Sequence, residues 1–105
     1  MNRELRFTTS AEAALRGLER DAHRAGLLKQ VWETLGLLET DIRHPSLRTH
    51  EFQSLSGPNG EKVLEAYVQS RTPAAWRIFF FYGPDRVEKG RKVPVLTIVS
   101  LTPHP

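Results

Sequence analysis

Apolar and polar residues change rhythm along this chain of 105 residues, and each rhythm predicts an element. Leu5 and Phe7 alternate with Arg6 and Thr8, the period of two of a short half-buried strand. Thr9-Ser10-Ala11-Glu12 then has the form of a capping box, with the Thr9 hydroxyl accepting from the Glu12 amide. Behind it Ala11, Leu15, Leu18, Ala22 and Ala25 recur at spacings of three and four, one face of a helix. Gly26 is expected to end that helix as a left-handed cap. Leu28, Val31, Leu35, Leu38 and Ile42 repeat in the same way, with Trp32 on the flank, and predict a second helix. Gly36 weakens it by up to about 1 kcal/mol relative to Ala, and Arg43-His44-Pro45 closes it, because the residue before a proline avoids the helical region.

From Pro45 to Lys62 no period is visible, and an irregular segment is expected, with a turn at Gly57-Pro58-Asn59-Gly60. The period of two then returns. Leu64, Ala66 and Val68 take one face; Glu65, Tyr67 and Gln69 take the other. After a connection at Arg71-Thr72-Pro73-Ala74, the run from Ala75 to Tyr82 is the strongest strand signal in the chain. Trp76, Ile78, Phe80 and Tyr82 share a face, and Arg77, Phe79 and Phe81 share the other. Gly83-Pro84-Asp85 turns the chain, Arg86 to Lys92 reads as a charged loop, and Leu96 to Leu101 is a strand apolar on both faces, hence central. The order β-α-α-β-β-β predicts one α+β domain over residues 1–105: a helical hairpin packed on a mainly antiparallel four-stranded sheet, its other face concave and wet.

Composition narrows the setting. There is no cysteine, so disulfides and thiolate zinc sites are excluded, and a reducing cytoplasm is the expected home. No apolar run approaches the roughly 20 residues of a membrane span, and MNRELRF carries no secretory core, so no membrane partner is expected. The net charge of +3 is uneven. Residues 1–42 hold six Lys/Arg against seven Asp/Glu, and residues 43–105 hold nine against five. A basic second half suits phosphates, and it equally suits an ordinary solvated surface.

Three places could carry chemistry. Arg77 lies inside an aromatic strand, and a guanidinium is costly to bury unpaired. It must meet a carboxylate such as Glu65 on the neighbouring strand, a carbonyl, water or a ligand anion, so an ion pair and an anion site both satisfy it. His104 stands between Pro103 and Pro105, which stiffen the tail, and imidazole suits proton transfer near neutrality. The segment 43–52 gathers Arg43, His44, Arg48, His50 and Glu51, a set able to bind phosphate and exchange protons. His44 and His50 are six apart with no HxH or HExxH pattern, so no metal is expected. There is no nucleophile elbow and no phosphate-binding glycine loop, and no cofactor is expected. The aromatic run reads as core; Phe79 and Phe81, on Arg77's face, are the rings that could stack on a base.

A small basic chain of this order, with an arginine in the third predicted strand and a histidine just past the fourth, resembles the RelE/ParE superfamily of bacterial toxins. The similar segments are LRFTTSAEAAL, VLEAYVQSRTPAAWRIFFFYGP and LTIVSLTPHP, and the stretch from His50 to Tyr82 looks like a RelE-like branch of small relatives. The resemblance implies the toxin of a type II toxin–antitoxin system. Its RelE-like members are endoribonucleases that cleave mRNA in the ribosome without metal, the 2′-hydroxyl attacking the adjacent phosphate and a 5′-hydroxyl departing. The partners implied are a cognate antitoxin protein, mRNA and the ribosome. Carried over residue by residue, Arg77 would stabilise the phosphate, His104 would transfer a proton, and Glu51 would be the base, with Glu65 and His50 as substitutes. Arg48, His50, Arg71 and Lys62 would hold RNA. The chain departs from the pattern in having Pro105 where some members have tyrosine, Lys62 alone ahead of the second predicted strand, and a long loop at 86–92. ParE-like members share the fold and instead inhibit DNA gyrase by binding, so a non-enzymatic binding module, or an inactive remnant, is the alternative. The nuclease expectation has a spatial condition: Arg77 and His104 must open onto one hollow opposite the helices.

Overall fold

A computed structural model describes residues 2–103; His104 lies outside the described residues. The elements are β1 (Glu4–Phe7), α1 (Thr9–Arg20), α2 (Ala25–Thr40), β2 (His50–Ser56), β3 (Lys62–Tyr67), β4 (Trp76–Tyr82), β5 (Arg86–Glu88), β6 (Arg91–Val93) and β7 (Val95–Pro103). One sheet has the order β1-β7-β4-β3-β2, and β5 with β6 forms a separate hairpin. β7 is central, as its apolar faces predict, with β1 parallel on one side and β4 antiparallel on the other. No helix among the described residues is long and apolar enough to cross a membrane.

The sheet therefore has five strands, not four. β2 lies in the segment expected to be irregular: of HEFQSLS only Phe52 is partly buried, so an edge strand exists with no alternation to announce it. The hairpin β5–β6 replaces the expected charged loop, turning at Lys89 and Gly90, both with positive φ (50° and 76°), which matches a tight hairpin turn.

The helices also differ from expectation at their ends. The cap of α1 is Thr8 rather than Thr9: its Oγ1 accepts from the Ala11 amide at 3.1 Å. The same hydroxyl donates to the Val99 carbonyl at 2.7 Å. Val99 is the extra residue of a β-bulge, since Phe79 pairs with Ser100 and Phe80 with Ile98. One side chain thus starts α1 and ties it to the central strand. α1 ends at Arg20, where Asp21 takes the His23 amide and opens a short 3-10 turn; Gly26 falls inside α2 and caps nothing.

The main core lies between helices and sheet. Ala11, Leu15 and Leu18 of α1 and Val31, Leu35 and Leu38 of α2 meet Ala66, Ile78, Phe80, Leu96, Ile98 and Leu101. Burial of each such large side chain contributes about 1.5–3 kcal/mol. The opposite face of the sheet is not wholly wet. Val63, Phe79 and Phe81 form a second, smaller core there, covered by Phe52 and Val99. Beyond that core, at the end of the sheet beside Tyr67 and Arg77, the face becomes polar.

Candidate functional site

The polar end of the sheet is built by register. Tyr67 of β3 pairs with Arg77 of β4, Glu65 with Phe79, and His50 of β2 with Glu65. Directly opposed residues of an antiparallel pair share a face, and diagonal neighbours two residues apart stay within reach of long side chains. His50, Glu65, Tyr67 and Arg77 are thereby gathered on the face away from the helices.

Glu65 is the centre of this group and is only 2% exposed. Its Oε1 lies 2.6 Å from His50 Nε2, and its Oε2 lies 3.8 Å from Arg77 Nε. The other His50 nitrogen, Nδ1, is 2.9 Å from the Arg48 carbonyl. A carbonyl can only accept, so Nδ1 carries a proton and donates it there. Both ring nitrogens therefore face oxygen acceptors, the Arg48 carbonyl and the Glu65 carboxyl. His50 itself is half-exposed, so one end of this proton-bearing pair is buried and the other reaches water.

Arg77 is buried, 6% exposed. Its Nη1 donates to the Gln69 carbonyl at 2.8 Å and the Trp76 carbonyl at 3.2 Å. The Tyr67 ring covers it, with Cζ 3.7 Å from the ring centroid. Arg77 Nε and Glu65 Oε2 are buried without a hydrogen-bond partner, each facing the other beyond bonding distance. The spatial condition set by the sequence is therefore not met on Arg77's side: the guanidinium is closed in with an acidic mate instead of opening onto a hollow. Burying a cation next to a carboxylate and two carbonyls is the arrangement that offsets its desolvation.

The other expected site residues divide. Arg48 is exposed, in the left-handed region at φ 47°, and its guanidinium lies 5.6 Å from the Tyr67 ring centroid. Arg71 is exposed in the β3–β4 connection, past the strand ends that carry Tyr67 and Arg77. Glu51 pairs with Leu64, whose side chain packs into the helix-side core, so Glu51 faces the other way from Arg77 and does not join the group. Lys62 is exposed at the far end of β3, roughly 17 Å from Tyr67 at about 3.3 Å per residue. Phe79 and Phe81 are 2% and 4% exposed, and Phe52 stands edge-on against Phe79 at 4.8 Å, which leaves no ring face open to a base. β7 does end beside Arg77, with Thr102 paired to Arg77 and Pro103 to Trp76.

At this point the fold can be compared with others. The solved structure of a YoeB dimer from Staphylococcus aureus matches with a TM-score of 0.58, covering 100% of this chain and 100% of that one. The two chains share a fold. Sequence identity is 12%, so the likeness concerns architecture and not individual side chains. No protein-family model and no curated protein matches the chain. The His50–Glu65–Arg77 group accordingly has to be understood from its own geometry. Tyr67 is the member that sequence reasoning missed. Its alternation with Glu65 put it on the right face, but an aromatic ring over a buried guanidinium leaves no mark in composition or spacing.

Proposed function

We propose that the chain is the toxin of a type II toxin–antitoxin pair and an endoribonuclease that cuts mRNA in the ribosome. The observation that carries this reading is the His50–Glu65 contact at 2.6 Å, a half-exposed imidazole held by a buried carboxylate. Such a pair orients an imidazole and stabilises its charged form, the arrangement used where a hydroxyl must lose a proton. The shared architecture with YoeB and the RelE/ParE resemblance of the terminal and central segments support it.

In this mechanism His50 replaces Glu51 as the base: Nε2–H stays on Glu65, while Nδ1, deprotonated to water and released from the Arg48 carbonyl, takes the 2′ proton. The 2′-oxygen attacks the adjacent phosphorus, a cyclic phosphate forms, and the bond to the 5′-oxygen breaks. Arg48 and Arg71, both exposed, meet the charge that gathers on the phosphate oxygens; oxyanion stabilisation of this kind is often the largest single term. Arg77 is a positioning residue. Its Nε faces Glu65 Oε2 at 3.8 Å and balances the charge of that carboxylate, which His50 contacts on its other oxygen. His104, next in the chain after β7, protonates the departing oxygen. No metal or cofactor enters this scheme. The antitoxin would cover the same face with a segment that orders on binding.

One observation favours the second reading, a ParE-like module that inhibits by binding alone. Arg77, the cation on which the nuclease resemblance leans most, is closed off by Glu65 and Tyr67. Induced expression in bacteria with transcript mapping separates the two. The nuclease reading expects growth arrest with cuts in translated messages, both relieved by His50→Ala and by His104→Ala. Arrest with intact transcripts and broken DNA supports the binding module; no effect on growth refutes both.

A further inference from the structure

A cavity of about 450 Å³ lies on the helix side of the sheet, where α2 ends and the chain turns toward β2. Arg3, Ile42, Arg43, His44, Pro45, Arg48, Thr49 and Tyr82 line it. Its volume falls in the range of roughly 300–1,000 Å³ typical of small-molecule sites. Three of the lining residues are arginines, whose charge cannot be lost, and none carries a carboxylate; the Arg48 guanidinium is turned to the Tyr67 ring, which leaves Arg3 and Arg43 to charge the cavity. Among the described residues, none of these three arginines forms an ion pair; the ion pairs use Arg16, Arg24, His50, Arg77 and Arg86.

Local structure does not account for this charge. The C-terminal end of a helix presents about half an elementary negative charge, enough for one nearby cation and not for two. Three carbonyls near its end are already engaged: Thr40 Oγ1 donates to Gly36 at 2.7 Å, the Asp41 amide to Leu37 at 2.6 Å, and the Arg3 amide to Glu39 at 3.0 Å. Guanidiniums collected around one concavity repel one another and raise the local concentration of anions. The opposite wall is not charged. Tyr82 is 47% exposed, and Arg3 lies over its ring at 4.9 Å from the centroid. Ile42 and Pro45 add apolar surface. A ligand that satisfies both walls has a flat or apolar body and a phosphate.

We propose that this cavity binds the phosphate of a nucleotide, with Arg3 and Arg43 on the phosphate oxygens and Tyr82 with Ile42 beside the base or sugar. Arg48 borders both this cavity and the His50–Glu65 pair, but Arg3, Arg43 and Tyr82 belong to the cavity alone, and the proposal does not depend on the nuclease reading. The same chemistry has two sources, a free mononucleotide and the phosphorylated end of an RNA strand.

The test is calorimetric titration of the full chain with three probes: ADP, inorganic phosphate, and a short 5′-phosphorylated RNA whose 2′ positions are methylated so that it cannot be cut. Arg3→Ala and Arg43→Ala are compared with wild type, and Arg43→Lys keeps the charge while removing the two-pronged fork. Circular dichroism checks folding; Arg43 is exposed, so its substitution leaves the core intact. ADP is expected to saturate one site, and each alanine variant to weaken it by about tenfold or more, as expected for a lost charge-assisted hydrogen bond. Binding of the oligomer but not of ADP, with the same sensitivity to both alanine variants, assigns the site to a strand end. The proposal is overturned if no nucleotide probe binds at millimolar concentration, if inorganic phosphate binds as tightly as ADP, or if Arg3→Ala and Arg43→Ala leave the affinity unchanged. Loss of mRNA cleavage in His50→Ala does not move this readout, so the two proposals fail separately.

Discussion

Arg77→Ala tests whether the sheet depends on the buried pair, and its cost can be worked out. Unit charges 3.8 Å apart attract by about 4 kcal/mol at an effective dielectric near 20. Removing the cation also removes its stacking on Tyr67, worth up to about 2 kcal/mol where both are desolvated. Against this, His50 stays on Glu65 Oε1 and keeps part of the carboxylate compensated. The net expectation is a loss of about 3–5 kcal/mol, the usual cost of stranding one half of a buried pair. Total stability for a small domain is about 5–15 kcal/mol, so the variant is marginal or unfolded. With a urea m-value of roughly 1–1.5 kcal/mol/M, the midpoint should fall by about 2–5 M. Replacing both partners, Arg77→Met with Glu65→Met, removes the stranded charge and should recover most of the loss. Urea unfolding followed by circular dichroism reads all three proteins. An Arg77→Ala variant within about 1 kcal/mol of wild type, or a double variant no better than the single, would refute the buried-pair account.

The remaining expectations concern the fold and its edges. Thr8→Ala removes both the α1 cap and the bond to the bulge carbonyl of Val99, and should cost about 1–2 kcal/mol in thermal or urea unfolding. Phe79→Ala should cost about 3–5 kcal/mol, because the ring is core; a variant of full stability that has lost RNA binding would restore the stacking platform. The hydrogen bond from Arg86 holds the Glu4 carboxyl below its ordinary value of 4.5, so it contributes stability above that pH and loses it as pH falls through the lower folded-state value. Arg86→Ala should therefore flatten the stability curve below about pH 4.5 and leave its shape near neutrality unchanged, as measured by unfolding across a pH series.

What the sequence made legible is what burial writes into it. The faces of β3 and β4, the central place of β7 and the apolar stripe of α2 all follow from side chains that must leave water. β2 and the β5–β6 hairpin were not legible, because they bury almost nothing: Val87 is 71% exposed, and the β2 burial is limited to Phe52. Backbone pairing alone holds such strands, and pairing has no periodic signature. The parallel pairing of β1 with β7 depends on residues 91 positions apart in the chain, as the Thr8–Val99 bond shows. The site was half legible. Alternation placed Arg77 with Glu65 as one of two open possibilities, and that ion pair is the one found. It could not assign Glu51 to the wrong face or His50 to the right one, because both follow from the register of a strand the pattern did not reveal.

Burial of Arg77 need not separate it from chemistry, and the double variant shows how to decide. A purely structural ion pair predicts that Arg77→Met with Glu65→Met, once stable, behaves as wild type in growth arrest and transcript cutting. A positioning role predicts the reverse: stability returns and cleavage does not, because His50 has lost the carboxylate that holds its Nε2. His50→Ala supplies the complementary case. The imidazole is half-exposed but its loss leaves the buried Glu65 Oε1 without a partner, so it should cost about 1–3 kcal/mol, yet abolish cleavage if the pair is the base. Cleavage that persists in both the double variant and His50→Ala would remove this group from the mechanism and leave binding by surface as the function of the fold.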